Sequence, residues 1–93
     1  MKKENNNYEY PIDYDWSTEE ITNIIKFYNV IEEAYEGGVD KNKLLSAYND
    51  FRKIVPMKMD QNNLSKRFET ESGYSIYKVI KAAQGATIEY IKF

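Results

Sequence analysis

The sequence contains no cysteine and no histidine. Those two absences remove the usual zinc sites, Ser-His and Cys-His nucleophile pairs, haem ligation, redox thiols and any disulfide framework. Acid–base chemistry would fall to Asp, Glu, Lys or Tyr, whose ordinary pKa values lie far from neutrality. Glycine occurs only at Gly37, Gly38, Gly73 and Gly85, so there is no glycine-rich phosphate loop. Apolar runs stop at two or three residues, too short to span a bilayer. The opening Met1-Lys2-Lys3-Glu4-Asn5-Asn6-Asn7 lacks the apolar stretch of a secretory signal. The expectation is a cytoplasmic protein that is not an enzyme, holds no metal or cofactor and does not enter a membrane.

What is present describes a small folded domain. The chain has 93 residues, 42% hydrophobic and 30% charged, enough for one core and too apolar for a disordered segment. Lys, Ile, Asn and Tyr make up 39 of the 93 residues, and all four use AT-rich codons. Base composition therefore accounts for much of the excess of tyrosine, nine in all. Residues 1–7 read as a flexible polar tail and residues 8–93 as a single helical domain.

Local signals divide that domain into a strap and helices. Tyr8-Glu9-Tyr10-Pro11-Ile12-Asp13-Tyr14-Asp15-Trp16 is aromatic and acidic, and Pro11 biases Tyr10 toward extended geometry. Ser17-Thr18-Glu19-Glu20 is a capping box, with carboxylates suited to the positive end of a helix. The helix it opens runs to about Glu36, where Gly37-Gly38 supplies a stop. Its apolar residues, from Ile21 to Tyr35, fill an arc of about 220°. So wide an arc predicts a central helix covered from at least two sides.

Three further helices follow. Asp40 caps a second over 41–55, ended by Pro56, with Leu44, Leu45, Ala47, Tyr48, Phe51, Ile54 and Val55 inward. A third begins after Asp60 and ends at Gly73, anchored by Leu64 and Phe68 with Met57 and Met59 in the approach. Ser75 caps a fourth that carries Ile76, Tyr77, Val79, Ile80 and Ala83 inward. Beyond Gly85, the helical phase keeps Thr87, Tyr90 and Ile91 inward, and helix continuation is expected despite a cost of about 1 kcal/mol for an exposed mid-helix glycine. The fold class is all-α: a compact bundle of about four helices with an extended N-terminal strap.

Three stretches resemble a known family. They are Tyr10-Pro11-Ile12-Asp13-Tyr14-Asp15-Trp16-Ser17-Thr18-Glu19-Glu20-Ile21, Phe51-Arg52-Lys53-Ile54-Val55-Pro56 and Ser72-Gly73-Tyr74-Ser75-Ile76-Tyr77. The likeness is to uncharacterised protein family 0223 of low-GC Gram-positive bacteria and runs from about residue 8 to about residue 84. The resemblance implies a compact helical fold in a bacterial cytoplasmic protein. It brings no catalytic residues.

Candidate surfaces follow from unusual residue groupings. Tyr10, Tyr14 and Trp16 among Asp13 and Asp15 would offer a partner an anchor-rich patch, since Tyr and Trp dominate binding hot spots. Against that, a strap lying across the helices would bury the same rings to help close a small core, and this is the stronger expectation. Asp13, Asp15, Glu19 and Glu20 follow an extended and then helical path, which suits a helix terminus rather than a cation loop.

Charge is unevenly divided: residues 1–51 are net −6 and residues 52–93 net +4. Glu32, Glu33 and Glu36 crowd a helix C-terminus, where anions are unfavourable, and are candidates to face a basic surface of the same chain, of a second copy or of another protein. The third and fourth helices also resemble a helix-turn-helix. Lys66, Arg67, Lys78 and Lys81 would contact phosphates, and Ser75, Tyr77 and Gln84 would contact bases. A pI near 5.2 argues against that reading. The expected function is an accessory role, binding another protein or a second copy through a surface patch. Weak nucleic-acid binding through the basic second half is the alternative.

Overall fold

Ser17 opens the longest element of the fold. Its hydroxyl accepts a hydrogen bond from the Glu20 amide at 3.1 Å, and the Glu20 carboxylate accepts one from the Ser17 amide at 2.9 Å. The predicted capping box is complete. The computed structural model describes residues 9–93, so the predicted tail 1–7 and Tyr8 lie outside the described residues.

Helix α1, Thr18–Glu36, ends where the Gly37 and Gly38 amides both return to the Glu33 carbonyl. Gly38 takes φ 110°, a left-handed conformation that favours glycine. Ile24, Phe27, Tyr28, Val30, Ile31 and Ala34 of α1 are all buried, as a central helix requires.

A short strand β1, Val39–Asp40, leads directly into α2, Lys41–Ile54, with Asp40 accepting from the Lys43 amide at 3.0 Å. Helix α2 lays Leu44 and Phe51 against α1. The Phe27 and Phe51 rings stack with centroids 4.5 Å apart, which adds to the apolar area they bury.

Helix α3, Lys58–Ser72, starts before Asp60, contrary to the sequence expectation. Met57 holds the cap position without a side-chain bond. Gln61 ties the new helix back to the end of α2, donating its side-chain amide to the Val55 carbonyl at 2.8 Å, while its backbone amide makes the first helical bond, to the Met57 carbonyl, at 3.0 Å. Asp60 instead falls in the first turn, where its charge complements the helix dipole.

Gly73 closes α3 at φ 83°, and Ser75 caps α4, Ile76–Gly85, which buries Ile76, Val79, Ile80 and Ala83. The helix does not continue past Gly85. At Ala86 the backbone turns extended, and β2, Tyr90–Ile91, pairs antiparallel with β1 in the register Val39↔Ile91 and Asp40↔Tyr90. The Lys41 amide donates to Glu89 and the Phe93 amide to Ala34, each at 2.7 Å, while Lys41 Nζ reaches the Ala86 carbonyl at 2.8 Å. Extended pairing thus satisfies backbone groups that a helix would have satisfied, and it also drives Ile91 into the core at 4% exposure. The result is three helices gathered on α1, with a two-strand clip joining residues near 40 to those near 90. Among the described residues no helix is long and apolar enough to cross a membrane.

Candidate interaction surface

The strap is fastened to the bundle at two tyrosines. Tyr28, fully buried in α1, donates its hydroxyl to the Pro11 carbonyl at 2.8 Å. Its ring stacks on Phe68 of α3 at 4.8 Å, and Tyr10 lies 5.3 Å from Tyr28 on the strap side. The Tyr10 hydroxyl lies 3.0 Å from both carboxylate oxygens of Glu32 and from Asn29 Oδ1. Burial, followed by the Glu32 charge, pushes the Tyr10 phenol pKa well above its ordinary value. Burial does the same to Tyr28, opposed by the nearby Arg67 charge.

These contacts revise the expected acidic face. Glu32 is only 2% exposed and meets the Tyr10 hydroxyl, so it belongs to the interior. At 100° per residue its position falls between Tyr28 and Ile25, inside the apolar arc of α1, which is why it points inward. Glu36 accepts from the Tyr74 hydroxyl at 2.7 Å. Burial and then that carboxylate push the Tyr74 phenol up to about 12. Glu33 makes a surface pair with Lys43 at 3.5 Å, of a kind that contributes little to stability. The three glutamates therefore do three different things and form no common surface.

The strap residues also divide. Tyr10 and Trp16 are half-buried against the core, whereas Asp13, Tyr14 and Asp15 are exposed. A tight turn sets the difference: the Trp16 amide donates to the Asp13 carbonyl at 3.0 Å and the Asp15 amide to Asp13 Oδ1 at 2.9 Å. Asp13 Oδ1 and the Glu20 carboxylate are thus engaged by backbone amides, and the described residues include no cluster of three acidic side chains placed for a metal ion. The turn rolls Trp16 inward and projects Tyr14 outward at 87% exposure.

Two grooves meet at the connection between α2 and α3. The first, about 530 Å³, lies between the strap and that connection. Ile12, Trp16, Ile54 and Leu64 form its apolar walls, and Asp13, Asp60 and Arg67 line it too. The second, about 580 Å³, runs between α2, α3 and α4, and Pro56 borders both. It gathers Arg52, Lys58 and Lys81 with the carboxamides of Gln61, Asn62 and Gln84, and none of the described residues lining it is a carboxylate. The Arg52 guanidinium lies 5.3 Å from the centre of the Tyr48 ring, and Lys81 Nζ 5.6 Å from that of Tyr77, both at cation–π distance. Tyr77, read from the sequence as inward-facing, is 67% exposed. Met57 and Met59, beside Pro56, are 62% and 70% exposed.

The predicted nucleic-acid set is dispersed. Ser75 is buried, its hydroxyl is engaged by the Lys78 amide and its own amide donates to the Tyr35 hydroxyl, so it is in no position to read a base. Lys66 and Arg67 border the strap beside Tyr10 and Pro11, whereas Lys81 opens onto the second groove and Lys78 lines neither. Sequence reasoning passed over Arg52 and Lys58 as site residues and treated the two methionines as an approach to the core. The basic excess after residue 52 was the available signal.

The sequence pattern of Uncharacterised protein family UPF0223 matches residues 7–92. Similar proteins include those of Streptococcus pneumoniae serotype 4 (strain TIGR4), serotype 2 (strain D39) and strain CGSP14, each bearing the name UPF0223 protein. Each is 46% identical over 80 residues, covering 86% of this chain and 87% of the relative.

Proposed function

The chain belongs to Uncharacterised protein family UPF0223, and we propose that it is a cytoplasmic accessory protein that binds a protein partner, another protein or a second copy, through the end of the bundle around Pro56. The observation that carries this reading is the exposure of Tyr14, Met57, Met59 and Tyr77 around a single connection. Large apolar groups gathered and left open to water mark interaction sites, and methionine adapts to varied partner surfaces. Beside them, Trp16 and Ile54 wall a groove that would take an apolar side chain.

The test is capture from an extract of a bacterium carrying a family member, using the full chain as bait and identifying the captured protein by mass spectrometry. The expected result is a specific protein retained after nuclease treatment and lost with Tyr14→Ala combined with Met59→Ala. Both side chains are exposed, so the double variant keeps its helical circular dichroism. Capture that is indifferent to these substitutions would overturn the site. The second groove supports a weaker reading, an anionic ligand such as nucleic acid, because its cations face no carboxylate among the described lining residues. Binding of that kind would fall steeply with salt.

A further inference from the structure

We propose that the partner of this surface is a second copy of the chain, docked about a two-fold axis near Pro56. The proposal rests on the reading that the Pro56 end is an interaction surface, and it names what that surface binds.

The distribution of charge about the connection carries the argument. On the strap side Asp13, Asp15 and Asp60 outnumber Arg67, the one cation among the described residues lining that groove; on the other side lie Arg52, Lys58 and Lys81, with no carboxylate among the described lining residues. Next to Pro56 in the chain, where the two grooves meet, Met57 and Met59 stand exposed. A face that is acidic on one side, apolar in the middle and basic on the other complements itself when turned through 180° about its centre. This is the requirement of an isologous contact, in which each copy offers both halves of the match. A partner of uniform charge would be attracted by one half of the face and repelled by the other.

The side chains fit the same arrangement. Tyr14 projects between two carboxylates. The groove across Pro56 presents two tyrosine rings among three cations. Each copy would thus insert an aromatic knob flanked by acids into a groove built of aromatics and bases on the other. The two insertions are equivalent by symmetry, and the methionines of both copies meet at the axis.

The experiment is sedimentation equilibrium of the full chain, alone and with two single charge reversals. Asp15→Lys alters the strap side and Lys81→Glu the groove side; both residues are exposed, and circular dichroism confirms that the variants fold. The native chain is expected to dimerise with increasing concentration. Each reversal repeats twice in the dimer and should weaken it by about tenfold or more. An equimolar mixture of the two variants should recover native affinity. In that heterodimer, the reversed charge at position 15 of one copy faces the reversed charge at position 81 of the other, so opposite signs still meet. The native Asp15–Lys81 match is kept at the second contact.

A chain that stays monomeric at all concentrations, while capture of a foreign protein depends on Tyr14, would overturn the second-copy assignment and leave the proposed function standing. A dimer that neither reversal weakens, or a mixture that fails to recover, would overturn the assignment too. Absence of both a dimer and a Tyr14-dependent partner would overturn the assignment together with the function it rests on.

Discussion

Replacing Tyr28 with Phe removes one oxygen from the middle of the fold and leaves the ring in place. That oxygen donates at 2.8 Å to the Pro11 carbonyl, and both Tyr28 and Pro11 are buried. Water therefore does not take over the lost partner. The loss is therefore set by the desolvation cost of the stranded carbonyl, about 1–3 kcal/mol, rather than by the smaller net value of an average bond. The ring of Phe would still stack on Phe68 at 4.8 Å, so no cavity term is added. The expected loss is about 2 kcal/mol, which for a domain of this size lowers Tm by about 8–16 °C. Thermal and urea unfolding followed by circular dichroism measure it. Trp16 supplies a second readout: a strap freed at Pro11 should shift its emission to the red and admit a quencher. A variant with native Tm and unchanged Trp16 emission would refute the claim that this bond holds the strap.

Gly38→Ala should cost about 1–3 kcal/mol, because it imposes a side chain at φ 110° and sets its Cβ against the Tyr90 ring. Gly37→Ala, with extended backbone and nothing within 4 Å, should stay within about 0.5 kcal/mol of native. Equal effects at the two positions in chemical denaturation would contradict the account of the turn. Tyr74 holds its proton more tightly in the folded chain than its ordinary value of 10.0 implies, with a pKa of about 12. Its contribution is therefore fully present below pH 10 and is lost as pH rises through 12, and Tyr74→Phe should remove that part of the alkaline destabilisation. A difference in tyrosinate absorbance between native and Tyr74→Phe chains that titrates near 10 rather than near 12 would disprove it.

The parts of the fold legible in the sequence were those encoded within a few residues. Ser17 and Glu20 are three apart, Gly37 and Gly38 are adjacent, and Asp40 and Ser75 stand at the heads of apolar repeats; each specifies a helix boundary unaided. The path after Gly85 was not legible, because its partner Val39–Asp40 lies far back in the chain and the helical phase fits residues 87–91 as well as pairing does. Glu32 was misread because residue type was weighed above angular position: a carboxylate inside an apolar arc requires a donor, and Tyr10 supplies it from a different segment. The strap's role was half legible. Its aromatic content announced anchoring, but only the turn at Asp13 decides that Trp16 goes in and Tyr14 goes out. The basic groove draws on three helices, so no single stretch displays it.

The clip between Val39 and Ile91 has a kinetic consequence. It closes a loop containing α2, α3 and α4, about 50 residues, at an entropic cost of roughly 3–4 kcal/mol that the clip's own contacts must recover. Helices α1 and α2 are joined by a few residues, so their contacts form early and cheaply, whereas the clip waits until α4 is in place. A latch held by so few backbone bonds is expected to open at lower free energy than the bundle beneath it. Amide protons of Lys41 and Phe93 should therefore exchange through a local opening that leaves α1 intact, so the chain breathes at this latch while the bundle beneath it stays closed.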